Sequence, residues 1–298
     1  MNSDGSDTTI LIDSDQNLSF DIDGKRALSP SNTALVISKG ADLYIYTAIN
    51  MSGELISNNA SHPSWSSDGK KLVYFKTLDA NGLGKLYVYD ILNATSVEIP
   101  VPLQSYAYAQ WIDNENVIAR VTDNSSSYLA KISLEGDIKK MQLDFASFSG
   151  FSLSNQKDNI IVEAQSNEGD WGLYKINLFN SNVSLLTIMD VRRVHDWSPD
   201  DAHVLISTNS AGDDAWNVFS INTSSGAKVD LSRRSQQADK GWNPSWSPEW
   251  DQVVFSLRDF SNLRGYDIYR VNADGTGLTN LTDYDPPLGG HFNVIWVD

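Results

Sequence analysis

A chain of 298 residues with 41% hydrophobic residues can bury a sizeable core, and no long stretch is polar enough to read as a disordered tail. Its formal net charge of −16 sets it against phosphate backbones and anionic lipid, so no nucleic-acid partner is expected. The lack of cysteine removes disulfides, thiolate nucleophiles and thiolate metal sites together. Apolar runs are strand-sized, as at residues 34 to 37, which leaves no candidate membrane span. The first twenty residues carry neither the basic nor the apolar region of a signal peptide.

Short runs of Val, Ile, Leu, Tyr and Phe alternate along the chain with clusters of Asn, Asp, Ser and Gly, and no helix-length window holds a 3.6-residue period. The chain is therefore read as all-β. After an N-terminal segment (residues 1–20), a weak unit opens at Leu28-Ser29-Pro30. A strong one follows at Pro63-Ser64-Trp65-Ser66-Ser67-Asp68-Gly69, with the runs Leu72–Phe75 and Leu86–Asp90 behind it. Weaker copies begin at Trp111-Ile112-Asp113 and Phe151-Ser152-Leu153. Strong copies return at Asp196-Trp197-Ser198-Pro199-Asp200 and Pro244-Ser245-Trp246-Ser247-Pro248-Glu249. A last anchor, Trp296, has no followers.

Taken as anchors, Leu28, Trp65, Trp111, Phe151, Trp197, Trp246 and Trp296 bound six intervals, each with room for four strands. Spacing of about 40–50 residues with four strands per unit predicts a six-bladed β-propeller of four-stranded antiparallel blades, a single domain over 1–298. In these turns proline, where present (Pro199, Pro248), fixes φ, Asp (Asp68, Asp200) bonds its own backbone and Gly69 tolerates φ > 0, features that reverse the chain. The anchor aromatics are large enough to wedge between blades. The seventh anchor predicts that residues 291 to 297 complete the N-terminal blade and close the ring.

The copies at Pro63–Gly69, Asp196–Asp200 and Pro244–Glu249, each a partial match to Pro-x-Trp-Ser-Pro-Asp-Gly, together with Ile268-Tyr269-Arg270-Val271-Asn272-Ala273-Asp274-Gly275 and Asn280-Leu281-Thr282, resemble the repeat of the TolB-like propellers. They are also similar to the propeller repeat of dipeptidyl peptidase IV-type enzymes, and more distantly to WD-repeat propellers. The resemblance runs from about residue 28 to the end. It implies a propeller of periplasmic or secreted type whose relatives mostly bind proteins. The hydrolase elbow Gly-x-Ser-x-Gly is missing, since Gly150-Phe151-Ser152-Leu153-Ser154 lacks the second glycine. A non-catalytic protein-binding scaffold without a cofactor is thus the first expectation.

Candidate site residues gather in the connections of the last three units. Arg192, Arg193 and His195 occupy one, and Arg233, Arg234, Lys240 and Trp242 the next, with His291 in the last; the third connection adds Tyr106 and Tyr108. Trp171, Trp216 and Tyr266 repeat at one offset before the third strand. Guanidinium groups beside aromatic faces fit an anionic or carbohydrate ligand, and an acidic glycan processed by lyase or hydrolase chemistry is the alternative function. The plainer role for these side chains is to cover sheet ends. Asp79, Asp123, Glu168, Asp170, Asp213, Asp214 and Asp259 recur in loops and could offer oxygen ligands to calcium or another divalent ion, but such acids are more often turn residues on a solvated rim. His62, His195 and His291 fall near the starts of first strands, where structural roles are expected.

Overall fold

In the computed structural model, residues 20–21, 27–47, 53–123, 126–189, 191–208, 216–232, 240–258, 266–282 and 294–296 are described; for residues 20–21, Arg192, residues 240–242, Arg258 and Tyr266 this covers the backbone alone. Six four-stranded antiparallel sheets follow one another along the chain, the architecture of a six-bladed β-propeller. Blade one holds β1 (Phe20–Asp21), β2 (Ala34–Lys39), β3 (Asp42–Thr47) and β4 (Glu54–Ser57). Blade two holds β5 (Ala60–Trp65), β6 (Lys71–Thr77), β7 (Gly84–Asp90) and β8 (Thr95–Glu98). Blade three holds β9 (Ser105–Trp111), β10 (Asn116–Thr122), β11 (Ser127–Ser133) and β12 (Ile138–Lys140). Blade four holds β13 (Ser147–Leu153), β14 (Asn159–Gln165), β15 (Trp171–Asn177) and β16 (Val183–Ile188). Blade five holds β17 (Val191–Trp197), β18 (His203–Thr208), β19 (Asn217–Asn222) and β20 (Lys228–Asp230). Blade six holds β21 (Lys240–Trp246), β22 (Gln252–Arg258), β23 (Tyr266–Asn272) and β24 (Thr279–Asn280).

Contacts divide the chain between Leu143 and Asp144 into two compact units of three blades each. A blade packs chiefly on its sequence neighbours, so such a division falls between blades rather than within one. In the first unit, Val73, Phe75, Leu86, Trp111, Val117 and Ile132 share one core. In the second, Leu205, Val218, Trp246, Val253 and Phe255 share another. Apart from Trp111 and Trp246, which end first strands, these residues come from the middle strands, which are covered on both faces and so read as continuous apolar runs.

The anchors Trp65, Trp111, Trp197 and Trp246 are buried and do more than fill space. Trp65 Nε1 donates to Ala27 O (3.0 Å), Trp111 Nε1 to Ser64 O (3.0 Å) and Trp197 Nε1 to Ser152 O (3.1 Å). Each bond ties a blade to the one before it. Trp246, in the same frame, keeps a buried Nε1 with no hydrogen-bond partner.

The serine after each anchor is the hub of the first turn. Ser66 Oγ donates to Asp68 Oδ1 (2.7 Å) and accepts from Lys71 N (3.0 Å). Ser29, Ser154, Ser198 and Ser247 accept from the fifth residue onward in the same way, at 2.9–3.1 Å. All five serines are buried. Blade three has Ile112 at this place and uses Asp113 instead, which accepts from Glu115 N (2.9 Å).

Two sequence expectations shift. In blade four the residue paired as an anchor is Leu153, opposite Ile160, and Phe151 lies two residues earlier, opposite Val162. The hub serine fixes the register, and Ser154 follows Leu153. Blade one takes its strands from residues 20–57. Of the segment expected to close the ring, 291–293 and 297 lie outside the described residues. Residues 294–296 are in no strand, and Trp296 N donates to Ser245 Oγ (3.2 Å) in blade six.

Candidate functional site

Every first strand from β5 onward carries an irregularity three or so residues ahead of its anchor. The register shifts between Ser61 and Ser64 in β5, Ala107 and Gln110 in β9, Phe148 and Phe151 in β13, Val194 and Trp197 in β17, and Trp242 and Ser245 in β21. In three of them a residue other than glycine takes a positive φ: His62 (55°), Tyr108 (56°) and Asn243 (47°), each three residues before its tryptophan. The left-handed region costs a β-carbon residue about 1–2 kcal/mol. A bulge re-aims a side chain, and such outliers gather where a side chain must be displayed.

The first unit brings two of these residues together. The His62 and Tyr108 rings meet edge to face at 4.9 Å, and the Arg120 guanidinium lies 5.3 Å from the Tyr108 centroid. Ser61 Oγ lies 3.0 Å from His62 Nδ1. All three side chains are half-buried, His62 and Tyr108 three residues before the anchors of β5 and β9 and Arg120 on β10, where it pairs with Ala107. Next to them Tyr106 is buried, and its phenol is pushed well above the ordinary tyrosine value by desolvation and then by Tyr128. Its hydroxyl donates to Pro102 O (2.9 Å), so Tyr106 holds the connection between blades.

Three residues after the partner of the anchor, the second strand has one place that is apolar in blade two (Phe75) and polar in blades three to six: Arg120, Glu163, Ser207 and Ser256. Glu163, Ser207 and Ser256 are buried. Ser149 Oγ donates to Glu163 Oε2, and His195 Nε2 lies 2.7 Å from Ser207 Oγ. A Ser–His distance of that size suits a nucleophile and its base, but Ser207 is 0% exposed, so no substrate carbonyl can meet its Oγ. The pair orients the imidazole. The backbone side of the same strand is fixed as well, since Ser152 Oγ donates to His195 O (3.2 Å).

Among the residues expected at a site, Arg193 sits opposite Ser207 and shares a strand with His195. Trp171 and Tyr266 open their third strands at one register, opposite Gln165 and Arg258. Trp216 precedes Asn217, which pairs with Thr208, and so holds the corresponding place in blade five. The side chains of Arg192, Trp242 and Tyr266 lie outside the described residues, as do Arg233, Arg234 and His291 entirely. Among the loop acids, Asp79 Oδ1 accepts from Asn81 N (3.0 Å) and Leu83 N (2.8 Å), and Asp123 Oδ1 from Ser126 N (3.0 Å). Both close their own turns. Among the described residues no three His, Cys, Asp or Glu side chains gather as a metal set. Sequence reasoning named His62 and Tyr108 separately without joining them, although both stand three residues before an anchor, and it passed over Arg120.

No protein-family profile matches the chain, and no curated protein matches it. Solved structures define the class. The chain is similar to TolB from Acinetobacter baumannii (17% identity, TM-score 0.57, 85% of this chain and 61% of that one). It is similar to oligogalacturonate lyase from Vibrio parahaemolyticus (12% identity, TM-score 0.66, covering 92% and 81%). It is also similar to a dipeptidyl aminopeptidase IV from Bacteroides ovatus described as putative (11% identity, TM-score 0.56, covering 87% and 46%). The chain thus spans about three-fifths of the TolB it matches. At these identities the likeness establishes the fold: an all-β, six-bladed propeller resembling those of TolB and the dipeptidyl peptidase IV type.

Proposed function

We propose that this propeller is a non-catalytic binding scaffold of the cell envelope or secreted space, and that it holds a protein partner beside the bulges of its first strands. One observation carries the reading. His62 and Tyr108 are held at matched left-handed bulges in adjacent blades, where their rings meet beside the Arg120 guanidinium. Aromatic rings and arginine are the side chains enriched where partners bind, and a strained backbone is retained where display of a side chain matters more than local stability. The likeness to TolB supports a protein as partner, by analogy of fold.

The test uses His62→Gly and Tyr108→Ala as bait in capture from an envelope extract, beside the unaltered chain. Glycine accepts the positive φ without strain, so His62→Gly removes the ring while keeping the backbone. Both variants are expected to stay folded and to lose the protein captured by the parent. Equal capture by all three would refute the reading.

A second reading is a propeller that binds or cleaves an acidic glycan through Arg193 and His195. It is favoured by the position of His195 beside Arg193 and by the likeness to oligogalacturonate lyase. Turnover of uronate-containing glycans that vanishes in His195→Ala would replace the first reading with this one.

A further inference from the structure

The outer edges of the six blades are not alike. Five end in short strands of two to four residues, and four of these carry charge: Glu54 in β4, Glu98 in β8, Lys139 and Lys140 in β12, Lys228 and Asp230 in β20. Short, charged edges are the usual protection against pairing with another chain. Blade four breaks the pattern. Its outer strand β16 has six residues, Val-Ser-Leu-Leu-Thr-Ile, without a charge. Val183, Leu185 and Ile188 are 45%, 50% and 61% exposed, and Phe179 in the turn before the strand is 84% exposed.

The backbone of this edge is open. Asn177 N donates to Asn182 O (2.9 Å) and Met189 N to Trp171 O (3.2 Å), which marks the hydrogen-bonded pairs at both ends of the β15–β16 ladder. Antiparallel alternation, with Leu186 as the bulged residue between Thr187 and Leu185, then turns the main-chain groups of Val183, Leu185 and Ile188 outward. The Leu186 carbonyl is shielded, because the Gly226 turn of blade five lies against it, so close that a β-carbon at Gly226 would meet that oxygen at 2.0 Å. The free stretch is therefore Val183–Leu185.

We propose that β16 is a dimerisation edge, which pairs antiparallel with β16 of a second copy of this chain about a two-fold axis at Ser184. The choice of a second copy over a foreign strand rests on self-complementarity, which a two-fold interface demands. Outward groups must meet outward groups, and an axis at Ser184 sets Val183 of each copy opposite Leu185 of the other. The same axis carries exposed Phe179 toward exposed Ile188 of the second copy, so the apolar groups at the two ends of the edge cover one another. Charge agrees with this direction. The exposed acids Glu168 and Asp170 lie beside the Met189 end, and the antiparallel arrangement sets them against the neutral Asn180–Ser181–Asn182 turn instead of against each other. In a chain of net charge −16, an uncharged self-matching edge is the place where two copies can approach.

The experiment is sedimentation of the full chain between 1 and 100 µM, with Leu185→Lys and Ser184→Cys variants. The parent is expected to reach twice the 33.0 kDa monomer mass, more readily as salt screens the net charge. Leu185→Lys should stay monomeric with an unchanged unfolding temperature. Ser184→Cys, in a chain without other cysteine, should form a disulfide dimer on mild oxidation, since facing residues of an antiparallel pair lie about 4.5–5.5 Å apart at Cα. A Thr95→Cys variant on the edge of blade two should not. A monomeric parent overturns the proposal, as does a dimer that survives Leu185→Lys or an equal disulfide yield from Thr95→Cys. A monomeric parent that binds a short alternating apolar peptide would assign the edge to a foreign strand, which also overturns it.

Discussion

Replacing Ser66 by alanine isolates the part played by the hub serine in the repeat. The side chain is buried, and its hydroxyl closes the turn between β5 and β6 by donating to Asp68 Oδ1 and accepting from Lys71 N. Alanine keeps the volume nearly unchanged but leaves the Lys71 N–H without that acceptor, a loss worth about 1–3 kcal/mol. For a domain of this size each kcal/mol moves the melting temperature by roughly 2–4 °C, so a fall of roughly 2–12 °C is expected. Ser67 is the internal control. It is the neighbouring residue and exposed, so Ser67→Ala should stay within about 0.5 kcal/mol of the parent. Urea unfolding of the three proteins at pH 7 gives both differences. The Asp68 carboxyl adds a second readout, because its pKa is held below the ordinary value first by the Ser66 hydroxyl and then by the Lys70 backbone N–H. A lowered folded pKa stabilises the fold above the unfolded pKa and loses that contribution as pH falls through the folded value. In Ser66→Ala the Asp68 titration should move up toward the ordinary value. Equal stability of the two alanine variants would refute the hub.

The tryptophan bonds give a paired test: Trp111→Phe loses the bond to Ser64 O as well as volume, whereas Trp246→Phe removes an Nε1 that has no partner. Trp111→Phe should therefore be the more destabilising by about 1 kcal/mol in urea unfolding. Glu98 is held below its ordinary pKa by hydrogen bonds from Lys85 and then Tyr87, so its stabilising contribution fades only as pH drops through that lowered value. Lys85→Met should raise the Glu98 titration midpoint in NMR with a stability change of about 1 kcal/mol or less, because the pair is exposed. Gly84→Ala should be severely destabilising by thermal melt, since its β-carbon would meet the Lys76 carbonyl oxygen at 1.9 Å.

The blade count was legible because the Trp-Ser turn is built from residues whose roles are local: an aromatic that spans to the previous blade and a serine that bonds five residues onward. Blade four misled by two residues because aromatic size pointed to Phe151, while the Ser154–Asp158–Asn159 turn that sets the register gave the truer sign. The bulges were harder to see. Positive φ is announced by Gly or Asn, as at Asn243, but His62 and Tyr108 give no such notice, and the cost is borne by tertiary packing. Arg120 was visible as the break in Val117-Ile118-Ala119, yet nothing local says that it lies over a tyrosine on the neighbouring strand. The open edge at β16 was also written in the sequence, in six uncharged residues where the other blades end early.

Photo-crosslinking tests the central claim most directly. A benzoylphenylalanine is placed in turn at Tyr108, beside the bulge of a first strand, and at Leu92, an exposed residue in the turn between β7 and β8. Irradiation in an envelope extract should yield a crosslinked protein from position 108 and none from 92. A crosslink from 92 without one from 108 would contradict the account.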